Sequence, residues 1–104
     1  MGGLPRSAYF RQPPLRVFGQ RLRRLRTAAA WSQEELGHRA DRSWTFVSSI
    51  ERAERNVTLM TLLRLAEAFG LNPAVFVTTE ESEVAAAEKH LQAMRSTTKK
   101  PRRQ

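Results

Sequence analysis

The chain has 104 residues, a formal net charge of +8 and no cysteine. That length supports one small domain, the lack of thiols excludes disulfides and thiolate metal sites, and an intracellular location is the simplest reading. No apolar run approaches the ~18 residues of a membrane span and MGGLPRSAYFRQPP lacks the core of a secretory signal, so a cytoplasmic protein with no membrane contact is expected.

Charge is unevenly spread. Residues 1 to 26 hold seven Arg and no acid, residues 95 to 104 hold five Lys or Arg and no acid, and the central segment holds six basic against ten acidic residues. Basic ends suit arms that follow a phosphate backbone, although charged termini also serve solubility alone.

In chain order, residues 1–14 contain Pro5, Pro13, Pro14 and two glycines and are expected to form a flexible basic arm. Helix one is predicted from Leu15 to Ala30, with Leu15, Phe18, Leu22, Leu25 and Ala29 inward and Arg16, Arg23 and Arg24 outward. Ser32 followed by Glu35 is a capping box, which starts helix two at Gln33 and buries Leu36 and Ala40. A third helix starts after Ser43. At about 100° per residue, Val47 and Ile50 share one side of it with Glu51, while Thr45, Ser48, Ser49 and Arg52 lie opposite. An acid on the core-facing side needs a cation, and Arg26 is the best candidate.

Two short helices joined by a tight turn, the second with a small polar outer face, read as a helix-turn-helix and point to DNA. Thr58 caps helix four, where Leu59, Leu62, Leu63, Ala66 and Phe69 are expected to face the core and Gly70 ends the helix. Pro73 opens a short fifth helix ending in the apolar AVFV patch at 74–77, which either meets a second subunit or simply closes the core. Thr78 and Glu81 form another capping box, after which Val84, Ala87, Leu91 and Met94 mark a sixth helix. Its stripe either pairs with a second subunit, the favoured reading, or lies back on its own domain. After Arg95 the chain, STTKKPRRQ, is expected to be disordered.

The run SQEELGHRADRSWTFVSSIERAERN resembles the helix-turn-helix family of phage repressor and Cro type, with a match from about Leu15 to Phe76. Within it, WTFVS, ERAERNVT and TLLRLAEAFGL look most like controller proteins of restriction–modification systems. The resemblance implies that Gln33 contacts phosphate, that Trp44, Thr45, Ser48 and Ser49 face the major groove, and that Arg26 and Glu51 form a buried pair. Three residues depart from the pattern. Asp41 stands in the turn where glycine is usual and should keep the turn, because Asp tolerates a left-handed backbone. Ala53 replaces the glycine after helix three, so a different loop path is expected there. Trp44 replaces a residue that is more often polar or basic, and an indole reads no base bidentately.

The expectation is therefore an all-α protein with a five-helix repressor-like helix-turn-helix domain (15–77), a C-terminal sixth helix (78–95) and a basic tail (96–104). It is expected to regulate transcription as a homodimer on double-stranded DNA at an inverted-repeat operator. Base readout is assigned to Trp44, Thr45, Ser48, Ser49 and Arg52, and phosphate contact to Gln33, Ser43, Arg23, Arg42, Arg55 and Asn56. The dimer interface is assigned to Val75, Phe76, Val77, Val84, Leu91 and Met94. The alternative is an antitoxin-like or adaptor protein whose C-terminal segment binds a protein partner. His38 and His90 sit on different helices with no carboxylate cluster or phosphate loop, so no enzyme activity, cofactor or metal is expected.

Overall fold

Pro14 opens the first helix, a position where its missing N–H costs nothing. The computed structural model describes residues 13–98, with side chains as far as Arg95. The expected arm, apart from Pro13 and Pro14, lies outside the described residues, as does the tail beyond residue 98, while residues 96–98, expected to be disordered, continue the last helix. The elements are α1 (Pro14–Ala28), α2 (Gln33–Arg39), α3 (Trp44–Glu51), α4 (Leu59–Phe69), a 3-10 turn (Pro73–Phe76) and α5 (Glu81–Thr98). No strand occurs among the described residues.

Three helix starts follow their capping residues. Ser32, Ser43 and Thr58 accept from the backbone N–H groups of Glu35, Phe46 and Thr61 at 3.0, 3.2 and 3.1 Å. Each cap of this kind contributes about 1 kcal/mol. The helix ends share a second device. At the ends of α1, α2, α3 and α4 the chain turns through a left-handed residue, Ala30, Asp41, Ala53 or Gly70, at φ 63, 58, 61 and 71°. At each, one N–H reaches back three residues and the next reaches back five, as in Ala53 N–H to Ile50 O (3.0 Å) and Glu54 N–H to Ser49 O (2.9 Å).

The core joins Leu22 and Leu25 of α1, Leu36 of α2, Val47 and Ile50 of α3, Leu65 of α4, Phe76 of the 3-10 turn and Val84 of α5. Each such burial contributes about 1.5–3 kcal/mol. The phase expected for α4 is wrong in part. Thr61, Leu65, Ala66 and Phe69 turn inward, whereas Leu59, Met60 and Leu63 remain 71%, 62% and 40% exposed.

The expected fifth helix is a single 3-10 turn, and its patch closes the core. Phe76 is fully buried and stacks on Phe18 at 5.3 Å between centroids, and the Val75 carbonyl accepts from Arg21 Nη1 at 3.1 Å. Thr78 Oγ1 accepts from the Glu80 N–H, so α5 begins at Glu81, two residues later than the capping box implied. The α5 stripe packs along α1 of its own chain, with Val84 0% and Leu91 4% exposed. Arg24 bridges Glu81 and Glu88 at 2.6 and 3.0 Å, and Arg95 Nη1 donates to the Thr27 and Ala28 carbonyls at the end of α1. Hydrogen bonding to Glu88, then to Glu81, holds the Arg24 guanidinium charged, above its ordinary pKa. The dimer interface expected at Val75, Phe76, Val84 and Leu91 is thus corrected: those side chains already fill space inside one chain. Val77 and Met94 are exposed.

Candidate nucleic-acid interface

The placement of α3 starts at Gly19 of α1. A Cβ there would meet the carbonyl oxygens of Ile50 and Glu51 at 2.5 and 2.8 Å, so only glycine lets α1 lie against the end of α3. About two α-helical turns further on, Arg26 closes the contact with charge. Its Nε and Nη2 donate to Glu51 Oε2 and Oε1 at 2.6 and 3.0 Å, and its Nη1 donates to the Trp31 carbonyl at 2.8 Å. The two side chains are 14% and 4% exposed, so the pair is largely shielded from solvent. Gln33 Nε2 also donates to Glu51 Oε1, at 3.0 Å. One carboxylate thereby ties α1, α2 and α3 together. Gln33 spends one amide N–H on that bond and keeps one for an outside acceptor.

The turn between α2 and α3 is as tight as the motif requires. A Cβ on Gly37 would meet the Arg42 carbonyl oxygen at 2.6 Å, and Asp41 takes the left-handed conformation expected of it. Ala53 takes it too. The different loop path expected after α3 is therefore corrected: alanine follows the glycine path and bears the strain, of order 1–2 kcal/mol.

Trp44 and Thr45 stand exposed at the start of α3, where the Thr45 and Ser43 hydroxyls share a 3.0 Å hydrogen bond. Beside them the half-buried Phe46 ring carries two cations, with the Arg42 and Arg55 guanidinium carbons 5.5 and 4.5 Å from its centroid. Arg55 Nε donates to Ser49 Oγ at 2.8 Å, and Ser49 Oγ donates to the Phe46 carbonyl at 2.7 Å. Asn56 is exposed just beyond. Arg42, Arg55, Ser43 and Ser49 thus gather around Phe46, a residue the sequence analysis did not single out, with Trp44 and Thr45 just before it at the exposed start of α3. An aromatic residue lying between arginines on either side of the motif helix was the available signal.

Two expected residues stand elsewhere. Ser48 is buried, because Arg52 folds across it and donates to its hydroxyl through Nη1, so it is not offered as a base reader. Arg23 lines a groove with Gln20, Thr27, Glu88 and Gln92, on the side of α1 that meets α5, and does not join the cluster around Phe46. Arg52 itself is held by Glu54, which the sequence analysis also passed over. Its Nε and Nη2 donate to the two carboxylate oxygens at 3.0 Å each, and these bonds keep the Glu54 carboxyl below the usual carboxylate range.

This arrangement can present a helix end, two aromatic-supported cations and a hydroxyl to a polyanion. Among the described residues no group of three or more His, Asp or Glu is placed to hold a metal, and no helix is long and apolar enough to cross a membrane.

Comparisons with known proteins agree with this geometry. A family model described as a helix-turn-helix domain matches residues 17–76. The control protein C.BamHI of Bacillus amyloliquefaciens is 38% identical over 58 residues, covering 55% of this chain and 72% of its own. The crystal structure of the restriction–modification controller protein C.AhdI from Aeromonas hydrophila is 38% identical, with a TM-score of 0.58, and covers 70% of this chain and 98% of its own. A hypothetical transcription factor from Neisseria is 26% identical, with a TM-score of 0.65, and covers 83% of this chain and 94% of its own. Two of these relatives are control proteins and the third is a hypothetical transcription factor. The chain belongs to the helix-turn-helix family of DNA-binding transcriptional regulators, with the restriction–modification controller proteins among its relatives.

Proposed function

We propose that the protein is a cytoplasmic, sequence-specific regulator that binds double-stranded DNA as a homodimer at an inverted repeat. The observation that carries this reading is the exposed Trp44–Thr45 end of α3, flanked by Arg42 and Arg55 on the Phe46 ring. In the groove, Thr45 and Trp44 make the base-edge contacts, Arg52 reaches guanine or phosphate, and Arg42, Arg55, Asn56, Ser43 and the spare Gln33 amide hold the backbone.

One such head has few base contacts, so tight selective binding needs two. With the α5 stripe buried, the dimer contact falls to Leu59, Met60 and Leu63, whose exposure makes an apolar face on α4. The same burial removes the stripe that an antitoxin-like partner contact would have used, leaving Met94 as its large exposed member.

Selection of duplexes from a random pool tests the reading. The expected product is an inverted repeat with half-sites about one helical turn apart. Met60→Asp places an acid near the N-terminus of α4, where a helix tolerates it. It should yield a folded chain that sediments as a monomer and loses preference for the full repeat. A Met60→Asp variant that stays dimeric would move the interface off α4, and a pool without enrichment would overturn sequence-specific binding.

A further inference from the structure

The pairing of Arg52 with Glu54 is built by the backbone. The left-handed Ala53 and the Glu54 N–H to Ser49 O bond turn residue 54 back over the end of α3. The Glu54 carboxylate then faces the guanidinium across two parallel bonds, both 3.0 Å. It takes the Nε and Nη2 edge of the fork, one of the edges with which arginine grips guanine O6 and N7 or two phosphate oxygens. Nη1, the remaining donor group, covers Ser48. Arg52 is therefore both neutralised and occupied on the helix that the proposed function sets against a duplex.

Both partners are more than half exposed, so the pair is weak enough to exchange. Its bonds hold the Glu54 carboxyl below the ordinary carboxylate range, and both partners are charged at neutral pH. We propose that Glu54 is a specificity-determining residue: it competes with DNA for Arg52, and only a duplex that offers a better bidentate acceptor than the carboxylate draws the guanidinium away. Release would uncover Ser48 by the same movement. A random phosphate meets a neutralised arginine and an unshielded acid, and binds less well. The inference rests on the DNA-binding reading and names the residue that sharpens it.

The test compares the parent with Glu54→Gln on two probes, a duplex recovered by selection and a random-sequence duplex of equal length. Glu54→Gln should raise random-duplex affinity several-fold, raise selected-duplex affinity less, and steepen the random-duplex salt dependence by about 0.9 in log–log slope, one phosphate contact. In an Arg52→Ala background the same change should leave the slope unaltered, because Glu54 acts through Arg52. A readout without DNA runs in parallel: the Arg52 Nε–H resonance should stand apart from those of solvated arginines in the parent and rejoin them in Glu54→Gln. Equal affinities and slopes in parent and variant, or an effect that persists in Arg52→Ala, overturn this inference alone. A parent that binds neither duplex overturns the DNA-binding reading and the inference with it, while the Nε–H resonance still reports whether the pair exists.

Discussion

Helix α1 holds α3 on one side and α5 on the other, and beyond the shared apolar core the two contacts differ in kind. Toward α3 there is no side chain at Gly19 and a shielded network of Arg26, Glu51 and Gln33 with bonds of 2.6–3.0 Å. Toward α5 there are apolar contacts through Val84 and Leu91, with half-buried Arg24 pairing with Glu81 and Glu88 along the rim. Hydrogen bonds fix direction and fail abruptly when a partner is lost, whereas apolar contacts are non-directional and weaken in proportion to area. The α3 side therefore sets the angle at which the recognition helix leaves the domain, and the α5 side mainly sets how stable that domain is.

The sharpest way to break the comparison is Glu51→Ala. It leaves Arg26 shielded with only the Trp31 carbonyl as acceptor and removes the acceptor of Gln33. Truncating one side of a buried pair costs about 3–5 kcal/mol, a large part of the 5–15 kcal/mol typical of a domain. Urea denaturation should show the loss. Replacing Arg26 and Glu51 together by Met and Leu should restore much of the stability without restoring duplex selectivity, because the new contact has no direction. A single variant within 1 kcal/mol of the parent would show that the network holds nothing.

Leu91→Ala breaks the other side. Burial at 4% exposure implies a cost of about 2–3 kcal/mol, the lower part of the range for leucine truncation, since the neighbouring surface at α5 is free to relax. Selectivity and sedimenting mass should match the parent's. A fall in mass instead would return α5 to the subunit interface.

The two sides also differ in how far the sequence disclosed them. The α3 side was legible in local spacing: Ser32 before Glu35, Ser43 at the start of a further helix and a core-facing Glu51 that demanded Arg26. The α5 stripe was equally visible, but periodicity reports that a face is apolar and says nothing of what covers it. In α4 even the phase was hidden. LMTLLRLAEAF is apolar almost all round, so Leu59 and Leu63 fit an inward stripe as well as Leu65 does. Glu54 and Phe46 were missed because their roles depend on side chains meeting across a turn that only the left-handed Ala53 creates.

The smallest expected effect lies in that residue. Ala30 and Ala53 both bear left-handed strain, and both serve the α3 side: the first is followed by Trp31, whose carbonyl accepts from Arg26, and the second by Glu54, which holds Arg52. Ala53→Gly relieves about 1–2 kcal/mol of steric strain and returns about 0.4–1 kcal/mol to the unfolded chain as entropy. The net gain should be about 0.5–1 kcal/mol, which for a domain of this size raises Tm by roughly 2–8 °C. Gly70→Ala at the end of α4 is the mirror experiment and should lower Tm by a similar amount, since its φ of 71° strains any Cβ even in open space. The two glycine exchanges are separated by their effect on DNA. A glycine at 53 loosens the loop that aims Glu54, so stability should rise while random-duplex binding also rises. An alanine at 70 should change stability alone.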